Sequence, residues 1–166
     1  MVALFRGRAG RTSSKVPPLV PIPPIAELPR AKMQASARYL GTIDAAGERV
    51  VGQSLAAKSQ ARLSLSSEAL DVVRIAGSFR IRTGMLRGAR SGDQFNGKPV
   101  PDLLVIRWEH DGNDWETGFR MDAARSVRDA EKAELSNGRA AVRPEVDAWV
   151  RVVSKLARGN RTEGSA

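Results

Sequence analysis

The chain has 166 residues, 42% of them hydrophobic and 27% charged, which is enough apolar material for one compact domain and too much for a disordered chain. Twenty-seven Lys and Arg against eighteen Asp and Glu leave a formal charge of +9. The absence of Cys excludes disulfides, thiolate nucleophiles and cysteine-based metal clusters, and a single His argues against His-rich metal sites and catalytic dyads. No apolar run approaches the roughly 20 residues that span a bilayer as a helix.

The N-terminal part is basic and then proline-rich. Arg6, Arg8, Arg11 and Lys15 alternate with Gly and Ser, and six of the nine prolines lie between Pro17 and Pro29. Prolines fix φ and remove backbone donors, so this stretch favours extended polyproline II over any regular ladder. Residues 1–32 hold six basic side chains and one acidic one, Glu27, for a net +5; the other 134 residues carry +4. Residues 1–34 therefore read as a non-folding basic arm, either freely solvated or a semi-rigid spacer.

From Ala35 the texture becomes that of short strands. Ser36–Leu40 reads as a strand ended by Gly41, and Glu48–Leu55 as one or two helical turns with Val51 and Leu55 on one side. Ala61–Leu65 alternates, with Leu63 and Leu65 on one face. Leu70–Ile75 follows the turn at Ser66–Glu68. Ser78–Arg82 alternates again, with Phe79 and Ile81 inward and Arg80 and Arg82 outward. Leu103–Glu109 and Trp115–Met121 form a hairpin across 110–114, with Gly112 and Asn113 supplying positive φ. Leu104, Ile106 and Trp108 share one face of it. Frequent turns between short strands predict an antiparallel sandwich or barrel.

The C-terminal part reads as helical. Asp122 caps a segment running to about Leu135, which Asn137-Gly138 breaks. Pro144 suits a first helical turn, and Val146, Trp149, Val150, Val153 and Leu156 form one apolar stripe. Residues 159–166 read as a disordered tail, which sets the domain at 35–158. Trp108, Trp115 and Trp149 read as core.

Seven or so short strands and a closing amphipathic helix are the order of a pleckstrin-homology-like (PH-like) fold. Tyr39-Leu-Gly-Thr42, Gly88-Ala-Arg90, Gly97-Lys98, Leu103-Leu-Val-Ile-Arg-Trp108 and Thr117-Gly-Phe-Arg120 resemble an actinobacterial family of PH-like domain proteins, often labelled only as putative transporters or membrane proteins. The resemblance covers Arg38 to Met121. It implies a mainly β fold, an antiparallel sandwich or barrel capped by the C-terminal helix. It also implies a transmembrane helix ahead of a basic juxtamembrane stretch and a Pro-rich linker. Arg6–Lys15 and Pro17–Pro29 resemble those last two parts, but these 166 residues contain no such helix.

The candidate site is an anion-binding patch: Arg80, Arg82, Arg87 and Arg90 on a strand face and its following loop, together with Lys98, Lys58 and Arg62. Arg forks match phosphate oxygens bidentately. The arm's Arg6, Arg8, Arg11 and Lys15 form a membrane-proximal group, worth roughly 1 kcal/mol each where they reach an anionic surface. Glu109, His110, Asp111 and Asp114 place four potential metal ligands on one hairpin tip, but turns select Asp and Asn anyway, and no metal site is expected. Without Gly-x-Ser-x-Gly or a phosphate-cradling Gly loop, no catalysis and no cofactor is expected either. The sequence thus points to a non-catalytic binding or scaffold domain at the cytoplasmic face of the plasma membrane, recognising an unidentified protein segment or an anionic headgroup. The alternative is a basic protein that associates with nucleic acid mainly through its charged arm. No aromatic-and-basic platform of the RRM or OB type supports that alternative.

Overall fold

The computed structural model describes residues 16–122 and 139–163. Among these residues seven strands are followed by one α-helix: β1 (Met33–Asp44), β2 (Ser59–Leu65), β3 (Ala69–Arg74), β4 (Phe79–Arg82), β5 (Leu86–Phe95), β6 (Lys98–His110), β7 (Asn113–Met121) and α1 (Arg139–Glu163). The strands form one sheet in the order β4-β3-β2-β1-β7-β6-β5, and every pairing is antiparallel. The sheet folds over on itself. Phe79 of β4 stacks on Trp108 of β6 with ring centroids 5.8 Å apart, although four strands separate β4 from β6 in the sheet. The helix packs on β5 and β6 with Val146, Trp149, Val153 and Ala157 buried. This is a PH-like sandwich with its closing helix.

Alternation in the sequence sets the core. Ala61, Leu63 and Leu65 of β2, Phe79 and Ile81 of β4, and Leu104, Ile106 and Trp108 of β6 all point inward and are buried. Trp115 and Trp149 are buried with them. A buried hydrogen-bond chain crosses this interior. Trp108 Nε1 donates to Thr117 Oγ1 (2.9 Å), Thr117 and Thr42 hydroxyls are 2.8 Å apart, Thr42 and Tyr39 hydroxyls are 2.7 Å apart, and Tyr39 donates to the Leu55 carbonyl (2.6 Å). An indole only donates and a carbonyl only accepts, so the ends orient every hydroxyl between them.

Several boundaries differ from the sequence reading. The strand expected at Ser36–Leu40 runs through Gly41 to Asp44, absorbing a register shift between Tyr39 and Gly41. The turn expected to use Gly112 and Asn113 uses Asp111 (φ 48°) and Gly112 (φ 80°), because His110 and Asn113 still pair. That leaves a two-residue hairpin turn with both central residues at positive φ. Glu48–Leu55 is not helical as a whole. Arg49 bridges Ile43 and the Val50 amide donates to Thr42, so neighbouring residues face opposite ways: Val50 is buried and Val51 is 51% exposed. Only Gly52–Ser54 makes a short 3-10 turn.

The helix begins at Arg139, ahead of Pro144, rather than at it. It also runs through much of the tail expected to be disordered, where the Asn160 amide donates to the Thr83 and Leu86 carbonyls. At the other end, the expected non-folding arm is seated on the domain from Val16 onward. Val16 and Leu19 pack against the core, the Arg80 amide donates to the Val20 carbonyl (2.8 Å), and the Lys32 amide donates to Leu65 (2.7 Å). Arg6, Arg8, Arg11, Lys15 and the expected Asp122–Leu135 helix lie outside the described residues, Asp122 itself excepted.

Candidate functional site

The seven cations of the expected anion patch do not share one environment. Arg80 does follow the outward alternation, but it is only 7% exposed. Asp71 lies directly opposite on β3 and takes both arms of its fork, at 2.7 and 3.0 Å, while Glu68 sits 3.9 Å away. The Asp71 hydrogen bonds raise the Arg80 guanidinium above its ordinary value, against the effect of burial. Arg87 donates to Glu109 (2.9 Å) and to the Gly84 and Leu86 carbonyls, and Arg90 donates to Glu116 (3.2 Å). These three cations are committed to carboxylates of the same fold. Arg82 is exposed on the β4 edge.

The other members come together elsewhere. β2 presents Arg62 and Gln60 outward, with Lys58 one residue ahead of the strand, and Arg62 is steadied by the Gln34 carbonyl of its side chain (3.1 Å). Beside them Arg38 of β1 faces Arg120 of β7 across the ladder, both exposed. Like charges directly opposite are unfavourable in a sheet, so this pair is not explained by stability. The sequence reading missed Arg38, Arg49 and Arg120. Arg38 carried a signal, since it alternates with the inward Ala37 and Tyr39.

A second, smaller core organises this outer face. Phe95, at the end of β5, folds back over Gly118 with Leu103 and Val105 buried beside it and Leu40, Ile43 and Val100 packed around them. At its margin is a cleft of about 40 Å³ whose lining includes Leu40, Ile43 and Phe95 together with the exposed Arg49, Lys58 and Lys98. Among the described residues no carboxylate lines it. Among the described residues none of these three cations is in an ion pair. Three charges from the β1–β2 loop and the β5–β6 hairpin thus surround one shallow opening, an arrangement that attracts an anion from solvent.

A larger cleft of about 590 Å³ lies between the β5–β6 hairpin and α1, lined by Asp93, Asp102 and Asp147. Its charge is opposite to that of the basic face. The hairpin-tip residues weighed as metal ligands point apart: His110 Nε2 lies 3.2 Å from the Pro17 carbonyl and Glu109 holds Arg87. Among the described residues no three His, Cys, Asp or Glu side chains converge on a metal position.

One further cation, outside that patch, is internal. Arg74 shares the inward face of β3 with Leu70 and Val72 and is 5% exposed. It donates to the Gly77 (2.6 Å) and Ala57 (3.1 Å) carbonyls, and its guanidinium lies 4.2 Å from the centre of the Tyr39 ring. Burial lowers its proton affinity, with Tyr39 acting the other way.

The sequence matches the family described as Bacterial PH domain-like over residues 17–135. The chain belongs to this family. The match begins at Pro17, so the seated proline segment falls within the family's span along with the whole sheet. No curated protein matches the chain. Membership in a PH-like family carries a binding module as its general expectation, and none of the described helices is long and apolar enough to cross a membrane.

Proposed function

We propose that this PH-like domain is a non-catalytic binding module that engages anionic headgroups at the inner membrane face through Arg49, Lys58 and Lys98, flanked by Arg38, Arg62 and Arg120. The observation that carries this reading is the cleft bordered by three cations with no carboxylate in its lining. Arg80, Arg87 and Arg90, by contrast, are neutralised by Asp71, Glu109 and Glu116. Lys and Arg near an anionic leaflet contribute about 1 kcal/mol each, so the face supplies affinity without a deep pocket. The half-buried Leu40 and Ile43 beside it suit contact with the apolar margin of a headgroup layer.

Co-sedimentation of the whole chain with vesicles of neutral lipid, and of neutral plus anionic lipid, tests this at physiological salt. Selective pelleting with anionic vesicles is expected. Lys58→Glu with Lys98→Glu should weaken it by at least tenfold, whereas Arg82→Glu with Arg151→Glu, a charge change of the same size at exposed positions outside the cleft, should weaken it far less. Equal losses from both changes would reduce the face to general electrostatics. No selective pelleting by the unaltered chain would remove the lipid reading.

A further inference from the structure

The segment Val16–Val20 crosses a seam of the sandwich. It pairs through Val20 with Arg80 on the edge strand β4, reaches His110 at the end of β6 through Pro17, and packs Val16 and Leu19 against the main core. The seam holds it through two apolar side chains, Val16 and Leu19, and through two hydrogen bonds to its carbonyls. One comes from the Arg80 amide to Val20 (2.8 Å) and the other from His110 Nε2 to Pro17 (3.2 Å). The Pro17 carbonyl only accepts, so Nε2 carries the proton. Both protein groups in these two bonds are donors, and they satisfy a backbone that presents carbonyls and, at its prolines, no N–H. The imidazole is itself held against Trp108 and Trp115, at 5.9 and 5.4 Å between centroids. An aromatic-backed groove with donors at its margins is the chemistry that reads polyproline II segments.

The seated residues are incompletely covered. Val16, Pro17, Leu19 and Val20 are only half-buried and Pro18 is exposed, over partners that are buried. The chain also carries the seated pattern twice. Val16-Pro-Pro-Leu19 recurs six residues later as Ile22-Pro-Pro-Ile25. The second copy packs on neither core, and Ile25 is 89% exposed.

We infer that this seam is a receptor for an extended apolar-Pro-Pro-apolar segment of a partner protein, and that Val16–Val20 is its occupant in the absence of that partner. The tethered segment competes at an effective concentration on the order of millimolar. A partner displaces it by filling the seam more completely than the half-buried Val16 and Leu19 do. The prolines reduce the ordering cost for either occupant, because polyproline II is largely preformed.

The probe is a fluorescent peptide with the sequence of residues 14–27, titrated by anisotropy into the whole chain and into its Leu19→Asp variant. Weakening the tethered segment should tighten peptide binding by at least tenfold. Adding His110→Phe to Leu19→Asp keeps the ring packing and removes the donor, and should reverse the gain by about fivefold, the worth of one hydrogen bond. A peptide with both of its first two prolines changed to alanine should bind more weakly than the parent. Leu19→Ser replaces Leu19→Asp if the latter does not melt cooperatively. Equal peptide affinity for the unaltered chain and the variant overturns the inference, as does no binding to a folded variant. A dimer of the unaltered chain that the peptide does not dissociate places a second copy in the seam, and also overturns it.

Discussion

Arg74 ties two loops together from inside the sandwich. Its fork reaches the Ala57 carbonyl in the β1–β2 connection and the Gly77 carbonyl in the β3–β4 turn, while its face lies on Tyr39. Hydrogen bonds from a charged donor contribute about 1.5–3 kcal/mol each, and removing a buried donor leaves its carbonyls unsatisfied. Arg74→Ala should therefore cost about 3 kcal/mol in urea unfolding. Arg74→Lys should recover little of that, since a lysine offers a point charge without the planar fork or the ring stack. Vesicle binding should weaken as well, because the Ala57 carbonyl that Arg74 holds immediately precedes Lys58 of the outer cleft. The sequence signals this residue's place only in part. Leu70 and Val72 identify the inward face of β3, and Arg74 continues their period of two, but only the folded loops supply the carbonyls that make a buried cation tolerable.

The β5–β6 hairpin explains a pattern that alternation alone leaves open. In Leu103-Leu-Val-Ile106 the inward residues are Leu104 and Ile106, yet Leu103 and Val105 are as fully buried on the other face. A run apolar on both faces requires cover on both sides, and Phe95 supplies it by folding over the outside of the sheet. The main core was legible because it follows from local periodicity; the sheet order was not, and Leu86–Phe95, read as a loop carrying Arg87 and Arg90, is strand β5. The outer core was not, because it depends on Phe95 meeting Gly118, more than twenty residues away in sequence. The cleft follows from the same contact, since Phe95 and Lys98 both line it. A Cβ at Gly118 would lie 2.8 Å from the Phe95 ring. Gly118→Ala should thus displace the ring and cost about 1–3 kcal/mol as an overpacking change. It should also weaken anionic vesicle binding although no charge is altered. Unchanged stability together with unchanged binding would detach the cleft from the hairpin.

Across the whole molecule, β1 is the strand on which both halves of the sheet converge, paired with β2 on one side and β7 on the other. Its Tyr39 touches Phe79 from the β4 side and Phe119 from the β7 side, with centroids 6.3 and 5.8 Å away. The same hydroxyl ends the hydrogen-bond chain that starts at Trp108, so its proton is committed to the Leu55 carbonyl. Ionising Tyr39 would remove that donor and place a charge in the core. Burial accordingly pushes its pKa up to about 12, with the Thr42 hydrogen bond and Arg74 opposing. An unfolded tyrosine titrates near 10. Between those values the folded state holds a proton that the unfolded state has lost, so stability falls as pH rises through this window and is insensitive to Tyr39 below it. The full difference amounts to about 3 kcal/mol. Subtracting the urea stability of Tyr39→Phe from that of the unaltered chain should give a difference that is flat up to about pH 9.5 and then declines toward pH 12. As the chain has one tyrosine, phenolate absorbance reads its ionisation without interference from another. In the folded chain that absorbance should rise only with the unfolding signal. A phenolate appearing near pH 10 while the tryptophan environment stays native would mean that the sheet's two halves open at β1 independently of global unfolding.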